Sequence, residues 1–414
     1  MIRFPITAVR KPLDLGGEMD ENDESGFKRR NQNMPQEKLL LIPGPTPVHP
    51  RIIHSLSQPT VSHVSPTMVQ ELKEALVMLK QIVFCERGEA FIVAGAGTLA
   101  MEMALLNTVK QGERFLVLAQ GYFGKRMSEI GESFGIDHDI LQSPWGEVVA
   151  PEQLEERLAD RDYAAVVATH VDTATGGCAP VKAYADVLKD TDCLYLIDGV
   201  CATGGIEERM TDWGVDVILT AAQKCFGAPP GLAVLVFSDA AMAKRQSMTS
   251  IPAYYSDVLR WLPIMKDPAK YFSTPCVNEI RAFSEACRIM LEEGMEQRFL
   301  RHRKIAEAFR SAFHTLGFRS FTRDDCLADT LSVMSYPQGV EDAAFRTTLA
   351  DGGVIVAGGL GEAAGRVFRM GHMGNLSYSQ VEFAVTALEN TLSSLGHAFE
   401  AGSGLNAAKK ALTA

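Results

Sequence analysis

The feature that most constrains this chain is a regular alternation through its centre. Short runs that are apolar at nearly every position recur as AFIVA (90–94), FLVLA (115–119), AAVVAT (164–169), CLYLID (193–198), DVILTA (216–221) and LAVLVFS (232–238). Each is too short for a stable helix and most are rich in β-branched residues, so each reads as a strand. Between most of them lie segments with helical spacing, at 98–110, 124–135, 151–160 and 180–189. A strand that is apolar on both faces must be covered on both faces, and strands separated by helices can cross over to lie parallel. The expectation is an α/β fold with a mostly parallel sheet between helical layers. In such sheets ligands bind beyond the carboxyl ends of the strands, so the residues that follow each run are the first candidates for function.

A second region begins with a long helical stretch at 277–316, which should break near Gly294. It leads into strands near 330–336 and 365–371 and helices near 341–350 and 378–395, a small α+β unit of ordinary domain size. The expected organisation is a large domain over 38–300 and a small C-terminal domain over 301–414. Residues 1–37 are polar, charged and aperiodic, and are expected to form a flexible arm. The following LLLIPGPTPVHP, broken by Pro and Gly, reads as a rigid extended loop.

The net charge of −11 opposes a general nucleic-acid role and an anionic membrane surface as partner. No run approaches the ~18 apolar residues of a membrane span, and the N-terminus shows no apolar leader. None of the eight cysteines forms a CxxC pair or a metal-spaced cluster with histidine. Reduced thiols in a cytoplasmic protein, with no metal, is the expectation.

Two charged residues then stand out. Asp198 ends the run CLYLID, where an isolated carboxylate is costly unless it meets a cation. Lys224 follows DVILTA by a short step and precedes a stiff Gly-Ala-Pro-Pro-Gly turn. Taken singly, Asp198 reads equally as a helix cap and Lys224 as a surface lysine. Together they meet one demand, that of pyridoxal 5′-phosphate: a lysine on its aldehyde and a carboxylate on its pyridinium nitrogen. Gly97 and Thr98, between a strand and a helix, offer backbone N–H groups and a hydroxyl to a phosphate, although a plain turn explains them too. Phe123 can stack on a ring and Val200 can pack its other face; a core aromatic is the alternative for the first. Thr173 can bond the cofactor or simply cap a turn. Arg369, on an expected strand of the small domain, suits a carboxylate in bidentate fashion, or else a surface ion pair.

The motifs PGPTPV, SHVSPTM, GAGTLAMEMAL, GYFGKR, THVDTATGG, LIDGVCATGG, AAQKCFGAPPGL, YFSTP and GGLGEAAGRVFRMGHMG resemble those of class V aminotransferases. The resemblance is to the alanine–glyoxylate and serine–glyoxylate group and runs from about Leu41 to about Leu392. It implies fold type I, a large domain on a mostly parallel seven-stranded sheet with a small α+β domain. It implies that Lys224 carries pyridoxal 5′-phosphate as a Schiff base and shuttles the α-proton, and that Asp198 pairs with the pyridinium. Gly97 and Thr98 would hold the phosphate, and Thr173 and Gln223 would touch the cofactor. Tyr271 and Thr274 resemble a pair that reaches the phosphate from the neighbouring subunit of a homodimer. Arg369 resembles the substrate-carboxylate ligand, and Gly44 lies in the loop that borders the substrate.

The implied reaction is transamination between a small amino acid, alanine or serine, and a small 2-oxo acid, glyoxylate or pyruvate. No second arginine is assigned to a side-chain carboxylate, so aspartate and glutamate are expected to be poor donors. Four departures stand out: Phe123 where relatives often carry Trp, Ala96 where they often carry Ser, Thr98 where some carry His, and an atypical THVDTATGG. APPG and GHMG also look like pyridoxamine–pyruvate aminotransferase, an alternative with an amine donor. A cysteine desulfurase or other lyase on the same fold is a further alternative. Its natural candidate nucleophile, Cys326, lies on an acidic segment that raises a thiol pKa.

Overall fold

The structure, a computed structural model, describes residues 38–413; the arm expected over residues 1–37 lies outside the described residues. All six apolar runs are strands of one seven-stranded sheet: β1 (Glu89–Ala94), β2 (Arg114–Ala119), β4 (Ala165–Thr169), β5 (Leu194–Asp198), β6 (Val217–Ala221) and β7 (Leu232–Phe237). The seventh, β3 (Asp137–Gln142), has no apolar run. It is the outer edge strand, and its residues DHDILQ are exposed or half-buried throughout, so burial imposed no apolar pattern on it.

The strand order is β1-β7-β6-β5-β4-β2-β3. β2 to β6 are parallel, and β7 runs antiparallel to both of its neighbours, β6 and β1. The reason lies in the connection. Residues 222–231 contain no helix, and a parallel crossover needs more chain than that. The lysine loop is therefore a tight return between two antiparallel strands. The carboxyl ends of β1, β2, β4, β5 and β6 all emerge on one edge of the sheet, and the segments that follow them converge there.

The chain leaves this layer through α3 (Val277–Glu293) and α4 (Met295–Thr315). They are separated by Gly294, whose φ of 82° favours a residue with no Cβ. A second sheet then forms from β8 (Arg319–Ser320), β9 (Leu331–Ser335), β10 (Ala357–Gly358) and β11 (Val367–Gly371), antiparallel in the order β10-β11-β9-β8. Its core is aromatic: Phe309, Phe313, Phe318, Phe345 and Phe368 are all buried, and Phe313 meets Phe368 edge-on at 5.5 Å. Truncating one such ring costs about 3–5 kcal/mol. A separate apolar cluster joins Val171, Cys201 and Cys225, from loops at the large sheet's edge, to Leu331 and Val333 of β9. This cluster floors the region where the chemical groups collect.

Candidate active site

Lys224 follows β6 by a few residues and is held from several sides. Thr46 Oγ1 donates to its carbonyl at 2.9 Å, and Gly227 N–H donates to the same oxygen at 2.9 Å. The Nζ donates to the carbonyl of Pro43. Gly44, in the same Pro-rich loop, has a φ of 96°, and a Cβ there would lie 2.5 Å from Lys224 Cδ and 2.8 Å from its Nζ. The backbone of the loop thus approaches the amine as closely as it can.

Asp198 closes β5 and is 3% exposed. One carboxylate oxygen accepts Val200 N–H at 3.1 Å. No cation lies within 4 Å of it among the described residues. Burial pushes its pKa up to about 7; the charges of Asp172 and Glu208 add to this, while Val200 N–H and Lys224 oppose it. A carboxyl in that position is short of one positive charge.

Two helix starts face the same space. α1 (Gly97–Thr108) begins without any side-chain cap, and the N–H groups of Gly97 and Thr98 have no partner among the described residues. Uncapped N–H groups at a helix start are an anion site. α2 (Tyr122–Ser133) is held differently: Phe123 N–H donates to Asp172 Oδ2 at 2.8 Å, while Asp172 Oδ1 accepts Ala174 N–H at 2.8 Å. Asp172 is fully buried, and burial raises its pKa against those N–H donors. It ties the backbone at the start of α2 to the loop of Thr173, whose hydroxyl lies 2.9 Å from Cys201 Sγ.

These groups enclose a cavity of about 220 Å³. Taking ~30 Å³ per water, it has room for roughly seven waters, the scale of one small organic ligand. Lys224, Gln223, Asp198, Val200, Thr98 and Phe123 all line it. A Cβ on Gly97 would come 3.2 Å from Val200, so this wall is drawn in tightly. Arg126 also lines the cavity; its guanidinium stands 4.6 Å from the Phe123 ring centre and has no carboxylate within 4 Å among the described residues.

Arg369, on β11, lies beside the cavity. It donates to Gly358 O at 2.7 Å and Thr173 O at 3.3 Å, again with no carboxylate partner among the described residues. Burial lowers its pKa from the usual arginine value. Tyr271 and Thr274 are not brought to this cavity: both are exposed, Tyr271 at 66%, with their hydroxyls 3.4 Å apart. Cys326 is buried, and burial with the neighbouring Asp325 pushes its thiol up to about 11.

The donor set fits a phosphorylated pyridine aldehyde. The amine, the cation-deficient carboxyl and the uncapped helix start match its aldehyde, ring nitrogen and phosphate respectively. The amide oxygen of Gln223 is buried with no partner, which a polar ligand in the cavity would relieve. No metal-binding cluster of His, Cys, Asp or Glu occurs among the described residues.

A family model described as "Aminotransferase class-V" matches residues 52–378. The chain belongs to the class-V aminotransferases. Pyridoxal 5′-phosphate is the cofactor of this aminotransferase. It is 32% identical over 385 residues to the L-aspartate–glyoxylate aminotransferase of Paracoccus denitrificans, covering 91% of this chain and 96% of that one. It is 32% identical over 355 residues to alanine–glyoxylate aminotransferase 1 of Saccharomyces cerevisiae, covering 81% and 91%. Its fold is similar to the crystal structure of ureidoglycine–glyoxylate aminotransferase from Bacillus subtilis. The TM-score is 0.89 at 26% identity, over 92% of this chain and 99% of that one.

Sequence reasoning passed over several residues of the aminotransferase site. Asp172 and Arg126 lie inside motifs already singled out, THVDTATGG and GYFGKR, but neither had an expected partner. His170 and Glu208 form a buried pair, Nδ1 to Oε1 at 2.7 Å, and the backbone N–H of His170 donates to Asp198 O at 2.9 Å. Burial pulls the imidazole pKa down, but Cys178 and Glu208 outweigh it and leave it raised. Nothing in the spacing of these two residues announces the pair.

Proposed function

We propose that this enzyme transfers an amino group between a small amino acid, alanine or serine, and a small 2-oxo acid, glyoxylate or pyruvate, with Lys224 as the residue that carries the cofactor. The observation that carries this reading is the meeting of Lys224, the cation-deficient Asp198 and the uncapped start of α1 around one small cavity. When bound, the pyridine ring supplies an electron sink for the bond broken at the amino acid's Cα.

The chain's own residues do the rest. Asp198 keeps the proton on the ring nitrogen. Gly97 and Thr98 hold the phosphate by backbone N–H groups and a hydroxyl, and Gln223 and Thr173 bond the remaining polar edge. Phe123 and Val200 close the two faces. Arg369 holds the α-carboxylate, with Gly44 bordering it, and Lys224 Nζ takes the Cα proton and returns it at the other end of the exchange. Tyr271 and Thr274 would serve the phosphate of a neighbouring subunit in a homodimer; their exposure here supports that placement. A large domain over 38–300 and a small one over 301–414 are supported by two separate apolar cores, with the exception that Leu39 and Leu41, at the start of the first span, pack in the second core. All eight cysteines are free thiols, in keeping with a cytoplasmic setting.

A second reading, an acidic amino donor, is favoured by Arg126, a cavity guanidinium with no carboxylate partner, and is in line with the L-aspartate–glyoxylate relative. The desulfurase alternative has no such support, since the Cys326 thiol is raised; Arg369 does not separate an amine donor from an amino acid, because the pyruvate acceptor of an amine donor carries a carboxylate too. The test of the central assignment is borohydride reduction of the holoenzyme followed by peptide mapping. The pyridoxyl group is expected on Lys224; finding it on another lysine overturns the assignment.

A further inference from the structure

Arg298, on α4, is 0% exposed, although a guanidinium is among the costliest groups to bury. Its five N–H donors meet five acceptors. Nε donates to Gly204 O at 2.9 Å; one terminal nitrogen donates to Glu293 at 2.8 Å and Asn375 Oδ1 at 3.3 Å; the other donates to Cys225 O at 2.6 Å and Gly374 O at 3.2 Å. Three of these acceptors are backbone carbonyls, and each belongs to a different loop of the site. Cys225 is next to Lys224. Gly204 lies in the turn that follows Asp198. Gly374 lies in the loop that follows β11, the strand of Arg369.

The arrangement is reinforced around it. His302, one turn along α4, has its Nδ1 at 2.8 Å from Arg298 O and accepts Gly374 N–H on Nε2 at 3.1 Å. The second contact requires an unprotonated Nε2, and burial together with the charges of Arg298 and Arg301 lowers the imidazole pKa accordingly. Arg301 shares Glu293 and donates to Gly374 O at 3.0 Å. A planar fork with five fixed donors can meet all five acceptors and so hold the three loops in one register; an ammonium, with three donors on one freely rotating nitrogen, cannot meet all five.

We infer that Arg298 is a positioning residue that fixes the loops of Lys224, Asp198 and Arg369 relative to one another, and so sets the reach of Lys224 Nζ to the Cα proton of a substrate held by Arg369. The inference rests on the roles proposed above for those three residues. Arg298 touches neither cofactor nor substrate, so its loss should appear in the proton-transfer step rather than in cofactor retention.

The experiment compares Arg298→Lys with Arg245→Lys. Arg245 is similarly buried and ion-paired to Asp257 at 2.8 Å, but it bonds none of the three loops. Both holoenzymes are loaded with pyridoxal 5′-phosphate and mixed with whichever of alanine, serine or aspartate reacts fastest with wild type, protonated or deuterated at Cα. The half-reaction rate per bound cofactor and its deuterium isotope effect are measured by stopped flow. For Arg298→Lys the rate should fall by about tenfold or more, with a raised isotope effect, since a misplacement near 1 Å can cost ~10²-fold. Arg245→Lys should stay within about twofold on both. Equal behaviour of the two variants, or an unchanged isotope effect in Arg298→Lys, overturns the inference. A folded Arg298→Lys that does not retain the cofactor overturns the inference; if the variant does not fold, Glu293→Gln removes the guanidinium's carboxylate partner, and there a raised isotope effect supports the inference and an unchanged one overturns it. A wild type inert to all three donors overturns the proposed substrates but not the inference, which is then decided by the same comparison with whichever amino acid does convert the bound cofactor.

Discussion

Gly44→Ala is the sharpest perturbation the site offers. The new methyl would stand 2.5 Å from Lys224 Cδ and 2.8 Å from Cε and Nζ. Comfortable carbon contacts are about 3.5–4.0 Å, so the lysine side chain must retreat by about 1 Å or more. Folding tolerates this, because the displaced atoms are the far end of a flexible chain. Catalysis should not, because that end is the reacting amine, and a shift of that size costs ~10²-fold in rate. The substitution carries a second cost, since Gly44 has a φ of 96° and a side chain there strains the backbone by about 1–3 kcal/mol. Gly112→Ala separates the two effects: Gly112 has a φ of 87° and nothing within 4 Å of its would-be Cβ. Both variants should lose stability in urea titrations. Only Gly44→Ala should lose borohydride labelling at Lys224 and about 10²-fold in turnover. Wild-type labelling and turnover in Gly44→Ala would refute the steric reasoning and the placement of Lys224 against this loop.

Asp198→Asn should lower turnover by about 10²-fold or more, the cost of removing one preorganised group. Without cofactor the same substitution should also change the pH dependence of stability. The folded carboxyl titrates at about 7, above its unfolded value near 3.9, so the folded state holds a proton that the unfolded state releases. Wild-type apoprotein should therefore lose stability on the order of a few kcal/mol as pH rises from about 4 to above 7. Apo Asp198→Asn should show less of that loss, and parallel urea midpoints at pH 5 and pH 8 in the two proteins would count against the assignment. Arg369→Ala should raise the KM of every carboxylate substrate steeply while cofactor absorbance stays; an unchanged KM refutes the clamp. In a donor panel, alanine or serine should outperform aspartate if Arg126 plays no part. If aspartate is the better donor, Arg126→Gln should abolish that preference and leave alanine nearly unaffected, and equal losses for both donors would exclude Arg126 as the ligand of the side-chain carboxylate.

What could be read from the chain follows from what burial imposes on it. Strands covered on both faces had to be apolar throughout, so β1, β2 and β4 to β7 stood out. Of the two edge strands, β1 is buried along its middle and stood out, whereas β3 is exposed or half-buried throughout and its polar residues left no trace. Gly294 marked the break between α3 and α4 because a left-handed residue there favours glycine. The antiparallel course of β7 was missed, because an apolar run carries no direction; the helix-free connection at 222–231 is what decides it.

The same logic divides the site. Lys224, Asp198 and Arg369 stand out in the sequence because each places a charge next to an apolar strand, where solvation alone does not explain it. The residues that hold them were not. In the sequence Arg298 is one more charge among MEQRFLRHRK, where arginines on a helix ordinarily face water. Its meaning comes from carbonyls at 204, 225 and 374, and a carbonyl is present at every position whatever the side chain. The same holds for Thr46, whose hydroxyl reaches the carbonyl of Lys224 across the loop. Chemical groups announce themselves by residue type, whereas their placement is written in backbone acceptors that no motif encodes. For that reason the variants that most directly test this site are those at Gly44 and Arg298, where a change outside the expected chemistry moves Lys224 or the loops that carry it.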